Sequence, residues 1–263
     1  MMDKLQKLKE LLQTLPGAVI AYSGGVDSTF LAVIAHEVLG EKALAVTAVS
    51  PTYPDQQLLE ARELVTRFGL AHQVIHTHEF DDANYVANPV NRCYYCKSSL
   101  FKDLRTIADE KGWIVLDGAN VDDLSDHRPG HQAAKEMGVR SPLQETGFTK
   151  QEIRDFSREL ALPTWNKPAY ACLASRIPYG SKITPDGLKR IDMAESFLNF
   201  LGFVQFRVRD HFPVARIEIA KNELDMAWQN REKISAKLHE LGFTYVTLDL
   251  DGFRSGSMNE TLK

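Results

Sequence analysis

The fold of this 263-residue chain is decided by the stretch Ala21-Tyr22-Ser23-Gly24-Gly25-Val26-Asp27-Ser28. The apolar run 18–21 leads into it and predicts a buried strand, and the apolar run 29–35 follows it and predicts a helix. The glycine loop, residues 23–25, is therefore predicted to join a strand to the start of a helix. Backbone N–H groups and the helix dipole favour an anion at such a position, and glycine lets the backbone approach a phosphate closely.

Other groups around this loop suit a nucleotide. Ser23 and Ser28 add hydroxyl donors. A carboxylate and a phosphate are both negatively charged, so Asp27 is expected to act through Mg²⁺, which it would hold against the phosphates. A Walker loop is excluded, since that motif needs a lysine after its last glycine and none lies between Lys9 and Lys42. The alternative interpretation is a Gly-Gly turn capped by serines.

The glycine loop resembles the SGGxDS pyrophosphate loop of the ATP-pyrophosphatase superfamily. This resemblance implies an adenine nucleotide alpha-hydrolase-like fold and an enzyme that splits ATP into AMP and pyrophosphate while it activates a substrate oxygen as an adenylate. It implies that the nucleotide is bound by Ser23, Gly24, Gly25, Val26, Asp27 and Ser28.

Apolar runs with strand and helix patterns alternate along the first part of the chain. Strands are predicted at 18–21, 43–49, 72–76, 113–116 and 139–143. This alternation predicts an α/β fold, namely a doubly wound parallel sheet, whose ligands bind outside the carboxyl ends of its strands.

Two segments that follow predicted strands carry further candidates. In pyrophosphate-loop folds the end of the second strand borders the adenine, which makes Ala48, Val49 and Ser50 candidates to line the base. The polar segment 117–130 follows the fourth strand and predicts contacts with Mg²⁺, ribose or substrate. Its candidates are Gly118, which would approach the nucleotide, and Asp123, Asp126 and Arg128, whose polar side chains would face the reacting end of the ligands.

The sequence pattern changes near residue 184. Alternating runs near 203–208, 214–219 and 243–250 predict strands, and periodic runs at 188–201 and 224–241 predict helices. We therefore expect two domains: an ATP-pyrophosphatase domain at 1–180 and a small α+β domain at 181–263, the latter for substrate binding or oligomerisation.

Composition sets the expected compartment and partners. The net charge of −4 argues against a large nucleic-acid footprint, so no stable nucleic-acid partner is expected. No apolar run approaches the roughly 20 residues that span a membrane. We therefore expect a cytoplasmic protein without a membrane partner.

The cysteines Cys93, Cys96 and Cys172 are odd in number, which argues against a disulfide framework. The Cys93–Cys96 spacing is compatible with a redox pair, with part of a zinc site completed by His127 or His131, or with a [4Fe-4S] cluster held by all three thiolates. Cys172 is alternatively a nucleophile that donates its own sulfur.

Five motifs spread along nearly the whole chain resemble the LarE family of ATP-dependent sulfur transferases, which help to make the nickel-pincer cofactor of lactate racemase. They are SGGVDS, RCYYCK, GANVDDLSDHRPG, KPAYACLASRIPYG and DGFRSGSMNE. The resemblance implies that carboxylates of a pyridinium dicarboxylate mononucleotide are adenylated and converted to thiocarboxylates. It also implies a homo-oligomer built from trimers, up to a hexamer.

The family resemblance implies roles for single residues as well. The sulfur comes from Cys172 in some members and from a cluster-bound sulfide in members with three cysteines, so this chain is similar to the cluster-bearing kind. Arg176 follows the key cysteine and is implied in catalysis. Arg207 and Arg209, with Glu218 nearby, match residues that bind the substrate phosphate.

Three other functions compete with this one. A tRNA thiolase uses the same loop and often three cysteines, but it needs a basic binding face, which the net charge does not favour. An ATP-dependent amide-forming synthetase activates a carboxylate for ammonia and needs no cysteine. A nucleotide-binding regulator without turnover would need neither Asp27 nor the cysteines.

Overall fold

The structure, a computed structural model, describes residues 2–125, 129–168, 171–254 and 256–262. These residues divide into two units. The first unit holds the described residues between Met1 and Tyr85 and between Asn91 and Tyr170, and the second holds Val86–Val90 and the chain from Ala171 onward. The division expected at 180 and 181 concerns functional domains and stays a prediction.

The first unit is built on a four-stranded sheet, and all of its strand pairs are parallel. Its strands are β1 (Ala18–Ala21), β2 (Ala43–Val49), β3 (Ala71–His76) and β4 (Ile114–Leu116). They lie in the order β3-β2-β1-β4, so β1 is hydrogen-bonded on both sides. The predicted parallel α/β sheet is confirmed.

Helices cover both faces of this sheet. The helices before residue 160 are α1 (Met2–Gln13), α2 (Val26–Leu39), α3 (Asp55–Arg67), α4 (Ala83–Val86), α5 (Arg92–Lys111), α6 (Pro129–Glu136), α7 (Pro142–Glu145) and α8 (Lys150–Glu159). Ile20 belongs to the core formed with α1, α2 and α8, whereas Val19 belongs to the core formed with α5 and α6. Because successive strand residues point to opposite faces, this alternation shows that the sheet is wound on both sides.

The predicted fifth strand is wrong. Between 139 and 143 the chain forms only an isolated parallel bridge, from Arg140 to Leu116. Pro142 has no N–H to donate to a strand ladder, and its fixed φ suits the first turn of a helix. The segment accordingly turns into α7, which begins at Pro142.

The second unit is the predicted small α+β fold. Its helices and strands are α9 (Pro185–Phe200), β5 (Phe206–His211), β6 (Val214–Ile219), α10 (Leu224–Gln229), α11 (Arg231–Glu240) and β7 (Tyr245–Leu248). β5 and β6 are antiparallel and β6 and β7 are parallel. The single helix expected at 224–241 is instead two helices, which meet at Asn230, whose side-chain amide donates to the carbonyl oxygen of Met226 (2.9 Å).

None of the helices in the described part of the chain is long and apolar enough to cross a membrane.

Gly17, directly before β1, provides a test of this packing. A Cβ atom there would lie 2.5 Å from Nε1 of Trp113, well inside van der Waals contact. We expect Gly17→Ala to lower the free energy of unfolding by about 1–3 kcal/mol, the usual cost of overpacking. Urea denaturation followed by circular dichroism measures it.

The matched control is the same substitution in a Trp113→Ala background. If the indole ring causes the loss, Gly17→Ala should cost little there. An equal cost in both backgrounds would show that the ring is not responsible.

Candidate active site

The glycine loop joins β1 to α2. Gly24 has a φ of +67°, in the left-handed region that favours glycine, and a Cβ there would lie 3.1 Å from Cβ of Ala61 in α3. Gly25 is the N-cap of α2 and supplies no side-chain cap. The start of α2 therefore relies on partners other than its own N-cap side chain for its first N–H groups.

Two serine hydroxyls tie the loop to the first turn of α2. The Ser23 N–H donates to Oγ of Ser28 (3.2 Å), and the two hydroxyl oxygens are 3.1 Å apart. The Ser28 hydroxyl also lies 3.4 Å from the Gly25 carbonyl oxygen. Both predicted hydroxyl donors thus lie at the same end of α2.

Asp27 is held by donors from two segments far along the chain. Its Oδ2 is ion-paired with Nζ of Lys150, at the start of α8, and its Oδ1 accepts from Nδ2 of Asn120 (3.4 Å). The Lys150 N–H donates to Oδ2 of Asp122 (2.8 Å), which fixes the start of α8 beside the 117–130 segment. The carboxylate that we expected to hold a cation is therefore already paired with a cationic ammonium group.

Gly118 follows β4 and lies against the same helix start. A Cβ there would be 3.1 Å from the backbone nitrogen of Ser28 and 3.3 Å from the carbonyl carbon of Asp27. The Asp123 carboxylate accepts the Asn120 N–H (3.0 Å) within this segment. Arg128, with Asp126 and His127, lies outside the described residues.

The adenine candidates lie at the carboxyl end of β2. Ala48 is in β2, opposite Ile75 of β3, and Ser50 follows the strand. The Ser50 hydroxyl is 2.7 Å from the hydroxyl of Thr52. Because β1, β2 and β4 are parallel neighbours, the glycine loop, Ser50 and Gly118 all follow strands at the same edge of the sheet.

In the second unit, the predicted ligands Arg209 and Glu218 belong to a buried charge network. Arg207 and Arg209 lie two positions apart on β5, so they share a face of the sheet. Arg209 pairs with the fully buried Glu218 (2.7 Å), and Ser257 donates to that same carboxylate (2.7 Å). Arg216, not among the predicted ligands, donates to Glu218 as well (3.0 Å).

Arg176 is fully buried and holds the backbone of Cys172. Its guanidinium forms two hydrogen bonds with the Glu195 carboxylate (2.9 and 2.8 Å). Its Nη1 donates to the carbonyl oxygens of Ala171 (2.6 Å) and Cys172 (3.1 Å), while the Cys172 side chain is exposed. Arg176 and Glu195 therefore fix the chain on which the thiol is carried.

The other two cysteines belong to the first unit. Cys93 is exposed and Cys96 half-buried, and both lie in the first turns of α5, where residues three apart share a face. Among the described residues, no three His, Cys, Asp or Glu side chains form a group that could hold a metal ion.

Comparison with known proteins defines the family. A family model described as NAD synthase matches residues 3–89. The pyridinium-3,5-bisthiocarboxylic acid mononucleotide synthase of Lactiplantibacillus plantarum is 38% identical over 98% of this chain and 95% of its own length. The chain belongs to this synthase family.

Two uncharacterised proteins are also similar over almost their full lengths. A Synechocystis protein is 46% identical over 99% of this chain and 98% of its own length. A Methanocaldococcus jannaschii protein is 30% identical over 97% of this chain and 98% of its own length. The similarity therefore covers both units of this chain.

Sequence reasoning missed Lys150, the partner of Asp27 in the first unit, and Glu195, the partner of Arg176 in the second unit. The capping box of α8, formed by Thr149 and Glu152, was visible as a helix start, and it places Lys150 in the first turn of that helix. Glu195 lies on a helix whose periodicity marks it only as a core position, so its pairing with Arg176 gives no signal along the sequence.

Glu195 provides a test of the buried pair. We expect Glu195→Gln to lower the free energy of unfolding by about 3 kcal/mol or more, because it leaves the guanidinium of Arg176 buried without a counter-charge. Glu240→Gln is the control, since Glu240 pairs with Lys237 but is 66% exposed, and it should cost less than about 0.5 kcal/mol. Similar costs from chemical denaturation of the two variants would contradict this account of the pair.

Proposed function

We propose that this protein is an ATP-dependent sulfur transferase that converts carboxylates of a pyridinium dicarboxylate mononucleotide to thiocarboxylates for the nickel-pincer cofactor of lactate racemase. The observation that carries the proposal is the 38% identity, over 98% of the chain, to a pyridinium-3,5-bisthiocarboxylic acid mononucleotide synthase. The glycine loop at the carboxyl edge of a parallel sheet supports the use of ATP.

The first unit would bind ATP and Mg²⁺. The backbone N–H groups of the loop, with the Ser23 and Ser28 hydroxyls, bind the pyrophosphate, and Asp27 holds Mg²⁺. The chemistry of Asp27 suits this role, because carboxylate oxygens are ligands that Mg²⁺ prefers. The same carboxylate already attracts a cation, the Lys150 ammonium. The bound ion neutralises charge on the phosphates. We assign the rest of the nucleotide to Ala48, Ser50, Gly118, Asp123 and Arg128.

The reaction has two displacement steps. A carboxylate oxygen of the substrate attacks the α-phosphorus of ATP, the bond between that phosphorus and the bridging oxygen of the β-phosphate breaks, and pyrophosphate leaves with the electron pair. A sulfur nucleophile then attacks the carbonyl carbon of the adenylate. The C–O bond breaks and AMP leaves with the original oxygen, so one oxygen of the carboxylate has been replaced by sulfur.

The second unit would bind the phosphate of the mononucleotide. We assign this role to Arg207 and Arg209, which share a face of β5. Glu218 fixes the guanidinium of Arg209 through the 2.7 Å ion pair. A guanidinium in a fixed orientation suits two-point recognition of a phosphate.

Two sources of sulfur are compatible with the cysteines. In the first, the Cys172 thiolate attacks the adenylate to give a thioester, and removal of its Cα proton breaks the Cβ–S bond, which leaves a thiocarboxylate and dehydroalanine. In the second, Cys93, Cys96 and Cys172 hold a [4Fe-4S] cluster, to which thiolates are suited in kind. Such a cluster would supply an iron without a protein ligand, at which the sulfur nucleophile would be held. We favour the second source because the chain has three cysteines.

Arg176 acts in either case as the residue that holds the Cys172 backbone in place. The oligomer built from trimers and the cytoplasmic location stay predictions.

Pyrophosphate release tests the function. With ATP, Mg²⁺ and sulfide, release should require the pyridinium dicarboxylate mononucleotide. Asp27→Asn should slow it about 100-fold, because a metal ion supplies several kcal/mol of charge stabilisation. Asp109→Asn removes an exposed carboxylate paired with Arg105 (2.8 Å) and should leave the rate unchanged. Release without the mononucleotide, or at the wild-type rate in Asp27→Asn, would contradict the proposal.

Purification without oxygen tests the sulfur source. We expect a brown protein with about four irons per chain and matching acid-labile sulfide, both lost in Cys93→Ala. A colourless, iron-free protein whose mass falls by one H₂S after turnover would instead identify Cys172 as the donor.

A further inference from the structure

We infer that Tyr53, Lys167 and Glu60 form an outer brace that orients the peptide groups of the glycine loop, and that Tyr53 and Lys167 are thereby positioning residues for the pyrophosphate of the nucleotide. The inference rests on the proposed function. It adds two residues to which nothing in the loop motif points, since they lie outside the loop and donate hydrogen bonds to its carbonyl oxygens.

The brace contacts two consecutive carbonyl groups. The Tyr53 hydroxyl donates to the carbonyl oxygen of Ser23 (2.9 Å), and Nζ of Lys167 donates to that of Gly24 (3.1 Å). The Lys167 ammonium is itself held by the Glu60 carboxylate of α3 (2.7 Å). Each donor thus has a carbonyl partner in the loop, and the charged donor also has a fixed counter-charge.

Peptide planarity converts these contacts into an orientation of N–H groups. In a trans peptide the C=O and the N–H point in opposite directions. The Ser23 carbonyl shares its peptide group with the Gly24 N–H, and the Gly24 carbonyl shares its own with the Gly25 N–H. When Tyr53 and Lys167 hold the two carbonyls, each glycine N–H must point away from the donor that holds the carbonyl of its own peptide group.

Two of the predicted anion ligands, the Ser23 and Ser28 hydroxyls, lie near the Gly25 N–H. The Gly25 N–H points toward Oγ of Ser23 at 3.4 Å, a long contact that an anion can replace. The Ser23 hydroxyl is in turn 3.1 Å from that of Ser28. The peptide group that Lys167 holds is therefore aligned with the serine hydroxyls as one set of donors, and Tyr53 fixes the direction of the neighbouring peptide group.

A loop of two glycines needs such a brace. Glycine has access to both signs of φ, so either peptide group can rotate and direct a carbonyl oxygen, rather than an N–H, at the phosphates. Ala61 of α3 blocks one side of Gly24, but packing alone does not select the direction of a peptide dipole. Hydrogen bonds to the carbonyl oxygens do select it.

The chemistry of the two donors suits this role. Burial raises the pKa of the Tyr53 phenol, and the nearby Tyr22 and Glu60 raise it further, so the hydroxyl keeps its proton. The Lys167 charge is balanced by Glu60, so its main effect on the loop is through its hydrogen bond.

Isothermal titration of the full-length protein with two probes tests the inference. The probes are inorganic pyrophosphate with Mg²⁺, which the loop would bind, and AMP, which lacks the β- and γ-phosphates. We expect Tyr53→Phe and Lys167→Met each to weaken pyrophosphate binding about 3- to 10-fold, the effect of losing one hydrogen bond. AMP affinity should change less than about twofold. Tyr53→Phe is the sharper variant, because it removes no charge.

Lys9→Met is the matched control. Lys9 pairs with Glu37 between two helices of the same unit (2.6 Å) and its side chain is 26% exposed, against 18% for Lys167, but it does not contact the loop. It should leave both affinities unchanged. Lys167→Arg, which keeps a donor, should recover most of the pyrophosphate affinity that Lys167→Met loses.

The outcomes separate the brace from the proposed function. If the wild-type protein binds both probes and Tyr53→Phe binds pyrophosphate equally well, or loses affinity for both probes by the same factor, the brace is wrong and the ATP site stands. A wild-type protein that binds neither probe overturns the proposed function and the brace together.

Discussion

The central position of β1 is the constraint on which the first unit depends. β1 pairs in parallel with β2 through Ala18 and Ala43 and with β4 through Ala18 and Ile114, so three strands end at one edge of the sheet. Alternate β1 residues belong to the cores on opposite faces, so the strand cannot shift by one residue without exposing apolar side chains. The glycine loop is the continuation of that strand, and its position is therefore set by the packing of the whole sheet.

The strands and the glycine loop could be predicted from sequence because their signals are local. A strand buried on both faces has an apolar sequence such as Ala18–Ala21. Serines and glycines between a strand and a helix predict a phosphate-binding loop, because they supply hydroxyl and backbone N–H donors. Predictions went wrong where one residue overrides a pattern. Pro142 ends the expected fifth strand, and the chain from 224 to 241 is divided at Asn230.

The partners of the site could not be predicted, because their contacts span long stretches of chain. Asp27 and Lys150 are 123 positions apart, and Gly24 and Lys167 are 143 apart. No spacing rule connects such residues, since only the arrangement of strands and helices brings them together. Tyr53 is closer to Ser23 in sequence, but the turn at 51–54 indicated only the end of a strand. A motif therefore identifies the groups that bind a ligand but not the groups that orient them.

Several basic side chains of both units are paired with carboxylates. Lys167 is paired with Glu60, Arg176 with Glu195, and Arg209 shares Glu218 with Arg216. A buried ion pair contributes little net stability, but it holds a side chain in one orientation. Around the glycine loop, the carboxylates offset the long-range attraction that the lysines would exert on an anion. On the proposed function, affinity for pyrophosphate would then depend on the direction of backbone N–H dipoles, which act only at short range. A site of this kind would be sensitive to the rotation of a single peptide group, so we expect the residues that hold the carbonyl oxygens to matter as much as those that face the ligand.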